Sequence, residues 1–164
     1  MVHKCPKCKS QMQPQFSAES KIPTFWICTK CKETIKVSPE SLKKVLIIDD
    51  DIDILKTLDL NYRFQGYNVL TARNAEEGFA LALNKEPDLI VLDINLPMVD
   101  GWQLCSLLKS SAKMCNIPII LITAFHEDPL IDNKIKASGA DNLFPKPLDM
   151  SKLLLYSNHV CTVH

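Results

Sequence analysis

Two aliphatic runs that each end in acid decide how this chain folds: Leu46-Ile47-Ile48-Asp49-Asp50-Asp51 and Leu89-Ile90-Val91-Leu92-Asp93. An unbroken apolar run of this length suits a strand buried on both faces of a parallel sheet. The flanking sequence repeats the theme. Ile52, Leu55, Leu58 and Tyr62 recur at helical spacing. Asn68 to Ala72 reads as a strand, and Asn74 with Glu77 as the N-cap and N3 of a helix through Leu83. Leu104, Leu107 and Leu108 mark the next helix and Ile117 to Ile122 a fourth strand. Leu130 to Ala137 follows as a helix closed by Gly139. Asp141 to Phe144 makes a short fifth strand, and Ser151 to about Val160 a last helix. The order is (βα)5. Its default packing is an α/β doubly wound parallel sheet with helices on both faces, here over residues 44–164.

Ligands of such sheets bind outside the carboxyl ends of the strands. The polar residues collect there. Asp49-Asp50-Asp51 ends the first strand, Asp93 the third and Thr123 the fourth, while Lys146 follows the fifth. Carboxylates crowded into one cleft repel one another and call for a hard cation. With few protein ligands and open water positions, that cation is Mg2+.

Upstream the chemistry changes. Residues 1–44 carry nine lysines against Glu19, Glu33 and Glu40, a net of +6, whereas residues 45–164 carry ten basic against sixteen acidic side chains, a net of −6. Such asymmetry predicts two units with different tasks. Cys5-Pro6-Lys7-Cys8 and Cys28-Thr29-Lys30-Cys31 form two C-x-x-C pairs with nineteen residues between them. Two thiolates on each of two tight turns complete a tetrahedron around Zn2+. Lys4, Lys7, Lys9, Lys30 and Lys32 flank the turns and offset the charge of a four-thiolate centre. Phe25-Trp26-Ile27 reads as a strand, continued from Glu33 to Val37. This segment resembles a zinc ribbon over residues 1–37, joined by a linker at 38–43. Exposed aromatics on a basic ribbon could touch nucleic acid, but the plainer reading is that the lysines solvate a small metal module.

Composition excludes several classes. Apolar residues at 46% and charged residues at 23% are globular proportions, which argues against wholesale disorder. The four glycines lie at least twelve positions apart, so neither a P-loop nor a G-x-G-x-x-G loop can exist. No apolar run approaches the roughly 18 residues that span a bilayer, and the N-terminus has no secretory h-region. The expectation is a cytoplasmic protein with no membrane partner.

Four stretches together resemble the receiver domain of two-component response regulators, over roughly residues 44–160 with order and spacing intact. They are Leu46 to Asp51, Asp93-Ile94-Asn95-Leu96-Pro97-Met98-Val99-Asp100-Gly101, Ile122-Thr123-Ala124 and Phe144-Pro145-Lys146-Pro147. The resemblance implies a flavodoxin-like receiver in which Asp93 accepts a phosphoryl group from a histidine kinase or phosphotransfer protein. It implies Asp50 as a direct Mg2+ ligand and Asp49 as a water-mediated one. Asp93 itself and the backbone carbonyl of Asn95 complete that set. Thr123 is similar to the switch hydroxyl, and Lys146 to the lysine that pairs with phosphoryl oxygens, with a cis bond to Pro147. Such a protein signals through protein contact, is no enzyme beyond its own phosphorylation and hydrolysis, and is compatible with a homodimer.

One position departs from the family. Its members place Tyr or Phe three residues before the lysine, where this chain has Leu143; Phe144 falls one residue later, on the opposite strand face. Aromatic-switch coupling to the last helix is therefore not expected. Phosphorylation should rearrange the loop after Thr123 and the helix from Leu130 to Ala137. Cys105, Cys115 and Cys161 read as small buried hydrophobes, Met98 and Trp102 as surface packing. His3, His126, His159 and His164 are scattered without acid or base partners. Two other functions compete: a nucleic-acid-binding regulator with the ribbon as effector, and an aspartyl phosphatase using Asp51-Ile52-Asp53, which lacks the threonine that should follow.

Overall fold

A computed structural model of the chain describes residues 4–16, 23–36, 42–124 and 129–163. Most of the linker read at 38–43, together with Val37, His3, His126 and His164, lies outside the described residues. Three antiparallel strands come first: β1 (Met12–Phe16), β2 (Pro23–Cys28) and β3 (Thr34–Lys36), in the order β1-β2-β3. The sequence reading found β2 and β3 but missed β1. Its residues Met12-Gln13-Pro14-Gln15 carry no β-branched signal, and only pairing with β2 makes them a strand.

The remaining elements are β4 (Lys44–Ile48), α1 (Ile52–Phe64), β5 (Asn68–Ala72), α2 (Ala75–Lys85) and β6 (Leu89–Asp93). After them come α3 (Gly101–Ser110), β7 (Ile119–Thr123), α4 (Ile131–Ser138), β8 (Asn142–Pro145) and α5 (Met150–Val163). The five strands are parallel in the order β5-β4-β6-β7-β8, so the direction of winding reverses between β4 and β6. Buried side chains alternate between two cores. Leu46, Ile48, Ile90, Leu92, Ile119 and Leu121 pack with Ala82 of α2 and Leu104 and Leu108 of α3. Val45, Ile47, Leu89, Val91, Ile120 and Ile122 pack with Leu55, Leu58 and Tyr62 of α1 and Leu153 of α5. Both faces of the central strands are dry, as the aliphatic runs require.

Caps fix the helix starts. Asp51 accepts from the N–H groups of Asp53 and Ile54, Asn74 from Glu77, and Asp100 from Trp102. Glu77 reaches back past the cap to the N–H of Arg73. Several ends differ from the sequence reading by one to three residues, those of α2, β7, α4, β8 and α5 among them. α2 runs on to Lys85 and closes on Glu86 in the left-handed region, since an exposed final turn carries no apolar signal. β7 begins at Ile119, because Ile117 donates to the Met114 carbonyl in a preceding turn.

α5 is tied to the domain by polar side chains. The Tyr62 and Ser157 hydroxyls lie 2.7 Å apart in the core, Ser157 donates to the Leu153 carbonyl, and Tyr67 donates to Asn158 Oδ1 at 2.9 Å. Burial pushes both phenols up in pKa, so they stay neutral donors. Tyr62→Phe should leave the fold intact and cost about 1 kcal/mol, the net worth of one buried hydrogen bond. Urea unfolding should report it as a lower midpoint at unchanged m-value.

Candidate functional site

Register alone brings the first acids together. Ile48 pairs with Leu92 across β4 and β6, so Asp49, one residue beyond, stands beside Asp93. Asp93 in turn pairs with Ile122, which sets Thr123 one step further out on β7. Asp49 and Asp93 are 0% and 2% exposed, and Thr123 is buried, whereas Asp50 is open to solvent. Carboxylate oxygens of Asp49, Asp50 and Asp93 lie within 4.8 Å of one another. Asp51 belongs elsewhere: it caps α1, and Asp53 sits exposed in that helix.

Lys146 closes the cluster from the loop after β8. Its Nζ lies 2.9 Å from Asp49 Oδ2 and 3.2 Å from Asp93 Oδ2, and its N–H donates to the Thr123 carbonyl at 2.7 Å. The Lys146–Pro147 bond is cis. Burial pushes the Asp49 carboxyl up in pKa, against the pull of Lys146 and of the Asp51 N–H. Burial pulls the Lys146 ammonium down, but its hydrogen bond to Asp49 and the charges of Asp49 and Asp93 outweigh that and hold it above the ordinary lysine value. One ammonium is thus shared by two buried carboxylates.

That leaves an open valence. Asp93 Oδ1 is buried and has no hydrogen-bond partner among the described residues. An orphaned carboxylate oxygen beside exposed Asp50 fits a hard cation with water in its remaining positions. The loop after β6 is held tight around this point. Gly101 donates to the Ile94 carbonyl at 2.9 Å, and a Cβ on Gly101 would lie 2.4 Å from the Asp93 carbonyl oxygen. Only glycine lets α3 start so close to Asp93. Asn95 is exposed at the mouth, and Met98 is wholly exposed in the left-handed region at φ 69° rather than packed on the surface. Trp102 is half-buried against the core of α2 and α3. Leu143 packs on that same core, while Phe144 lies on the other face with its ring 5.9 Å from Tyr156.

The N-terminal cysteines form a second cluster. Sulfur separations are 3.4 Å for Cys5–Cys31, 3.3 Å for Cys8–Cys28 and 3.5 Å for Cys8–Cys31. Four thiolates on one Zn2+ at ~2.3 Å would sit about 3.8 Å apart, so this set is nearly that tetrahedron. Both turns are built alike. Lys9 and Lys32 donate to the carbonyls of Cys5 and Cys28, both in the left-handed region, and the Cys5 and Cys28 N–H groups donate to Ser10 and Glu33. Hydrogen bonding to Ser10 holds the Cys8 thiol down at about 6. Burial and neighbouring sulfurs push Cys31 up to about 12, overriding the Glu33 N–H. Sulfurs this close cannot all ionise without a cation among them. Trp26 is 3% exposed and packs with Met12 against the cysteines, so it is not the exposed aromatic that nucleic-acid stacking needs. Of the other thiols, Cys105 and Cys161 are buried, but Cys115 is exposed, contrary to the sequence reading, because it lies in the solvent-facing turn after α3.

Residues 45–157 match the response regulator receiver domain, and the chain belongs to that family. It is 38% identical over 115 residues to the DNA-binding dual master transcriptional regulator RpaA of Synechocystis, covering 69% of this chain and 46% of RpaA. It is also 38% identical over 107 residues to the alkaline phosphatase synthesis transcriptional regulatory protein PhoP of Bacillus subtilis, covering 64% and 42%. The chain spans less than half the length of these curated relatives. The chemotaxis response regulator CheY4 of Vibrio cholerae superposes with a TM-score of 0.68 at 28% identity, over 73% of this chain and 99% of that one. A CheY-like receiver from Methanospirillum hungatei gives 0.69 at 30%, over 74% and 95%. Receiver domains bind Mg2+ in their acidic pocket. Among the described residues, no helix is long and apolar enough to cross a membrane.

Lys146→Met removes the one cation that, among the described residues, is seated between Asp49 and Asp93, and should destabilise the domain by about 3 kcal/mol, as for a broken buried pair. Thermal unfolding checks this. Added Mg2+ should raise the midpoint of the variant more than that of the parent chain.

Proposed function

We propose that this chain is a two-component phosphorelay response regulator. It takes a phosphoryl group on Asp93 from a histidine kinase or phosphotransfer protein, in a Mg2+-dependent reaction, and signals through protein contact. The observation that carries this reading is the Asp93 carboxylate itself, buried, bonded to Lys146 through one oxygen and, among the described residues, unpartnered at the other. An Asp93 oxygen forms the new bond to phosphorus as the bond from phosphorus to the donor imidazole nitrogen breaks, and the imidazole leaves. Lys146 moves its hydrogen bond to a phosphoryl oxygen, and the Thr123 hydroxyl donates to another. Asp49, Asp50, Asp93 and the Asn95 carbonyl hold Mg2+, which supplies charge neutralisation for the phosphoryl oxygens.

The signal then runs to α4. That helix buries only Ser138 and has no side-chain N-cap, whereas α5 is held by Tyr62, Tyr67 and Phe144. Leucine at 143 provides no two-state aromatic to carry the change to α5. Residues 1–37 are proposed as a zinc ribbon holding one Zn2+ through Cys5, Cys8, Cys28 and Cys31, with 38–43 as linker and 44–164 as receiver. So small a unit draws much of its folding free energy from the metal.

Acetyl phosphate with Mg2+ should add one phosphoryl group to the chain, seen by mass spectrometry and absent in Asp93→Asn. Hydrogen exchange with beryllofluoride should then change more at residues 131–138 than at 150–163; robust labelling of Asp93→Asn would overturn the assignment. Elemental analysis should find one zinc per chain, lost in Cys28→Ser while the receiver transition persists.

A further inference from the structure

The small sheet has two unlike edges. β1 contains Pro14, which has no N–H to offer, and its register slips between Gln15 and Phe16. Proline and a bulge are the usual devices that blunt an edge against pairing. β3 has neither. Thr34, Ile35 and Lys36 are all exposed, and among the described residues nothing pairs with the outer side of this strand.

Its surroundings are apolar in part and strongly basic. Ile35 stands opposite Trp26, on the face of the cysteine cluster, and remains 37% exposed. Thr34 and Lys36 stand opposite Ile27 and Phe25, which are half-buried on the other face. Lys4, Lys7, Lys9, Lys30, Lys32 and Lys36 are all exposed, against Glu33 as the one acid among the described residues of this unit. Glu33 is itself engaged by Lys7 at 3.8 Å.

We propose that β3 is a docking edge for an extended acidic segment of a partner protein, which adds to the sheet as a fourth strand. Backbone pairing supplies the fit, alternate apolar side chains meet Ile35 or the Phe25–Ile27 face, and acidic side chains meet Lys32 and Lys36. Charge selects this occupant. A second copy of β3 would set one basic edge against another, and like charges across a strand pair are unfavourable. Nucleic acid would find a poor stacking platform among the described residues, because Trp26 is buried and Phe25 half-buried. The proposal rests on the zinc reading, since the cysteine turns hold the sheet together.

The test uses the zinc-loaded full chain and a fluorescein-labelled decapeptide of alternating glutamate and valine, read by anisotropy. Saturable binding that weakens with salt is expected, with none for the lysine–valine decapeptide. Lys36→Glu, a change at an exposed site, should weaken binding about fivefold, the effect of a rim charge turned repulsive. Cys28 and Glu33 form a hydrogen-bonded pair, so by alternation the N–H of Ile35 faces β2 and that of Thr34 faces outward; Thr34→Pro should therefore abolish binding. Zinc content measured on the same samples separates a lost metal from a lost edge. Hydrogen exchange should slow at residues 34–36 and not at 12–16. Equal binding of the two peptides, tighter binding of a short DNA duplex, unchanged affinity in Lys36→Glu with zinc retained, or concentration-dependent dimers through β3 would each overturn the proposal.

Discussion

Asp49 and Asp93, both fully or almost fully removed from water, share the one ammonium of Lys146. At an effective dielectric near 20, two carboxylates less than 5 Å apart repel by roughly 3–4 kcal/mol, a large part of a domain's net stability. One cation cannot neutralise two anions, so the resting cluster carries excess negative charge in a dry place. Every other feature of the domain's carboxyl end can be understood as containing or using that excess. The Lys146 backbone is fixed to β7 through the Thr123 carbonyl. The Asp51 N–H donates to Asp49 Oδ1, which spreads some of the charge into the start of α1. Among the described residues Asp93 Oδ1 is left bare. A site in this condition attracts a divalent cation, and in the proposed function it then accepts a phosphoryl group that brings still more negative charge.

The fold supplies this arrangement at no cost in loop design. Parallel strands in register put residues that follow equal positions side by side, so a run of aliphatics ending in Asp on β4 and another on β6 must converge. The reversal of winding between β4 and β6 opens the crevice above them. Gly101 is a place where that economy demands a specific residue. The first turn of α3 passes so near the Asp93 carbonyl that any side chain would force the backbone apart.

Much of this was legible in the sequence, and the reasons are physical. Val45 to Ile48 and Leu89 to Leu92 announce buried parallel strands because both faces must be apolar; Asn74 announces a helix start through side-chain chemistry local to the chain. What escaped detection depends on partners distant in sequence or on surfaces without a pattern. β1 exists because β2 pairs with it. The last turn of α2 is polar and exposed, so periodicity stops short of it. Cys115 was misjudged because an apolar neighbourhood in sequence says nothing about which side of a turn faces solvent. The bare oxygen of Asp93 could not be inferred at all, since it follows from where Lys146 spends its hydrogen bonds.

The same logic explains why Leu143 and Phe144 divide the domain. Strand alternation sends Leu143 to the core beside α3 and Phe144 to the core beside α5, where it meets Tyr156, whose hydroxyl donates to the Asp141 carbonyl. An aromatic ring on the first face would have two well-separated rotamers next to Thr123; a leucine there fills less volume and changes packing little between them. The aromatic on the second face has neighbours on α5 that are themselves hydrogen-bonded, so moving it would break contacts without relieving the strain at Asp93. A two-state element must have comparable energies in both states, with the trigger touching only one. By that standard α4, short, weakly capped and mostly exposed, is the element of this domain best able to answer a change at Thr123.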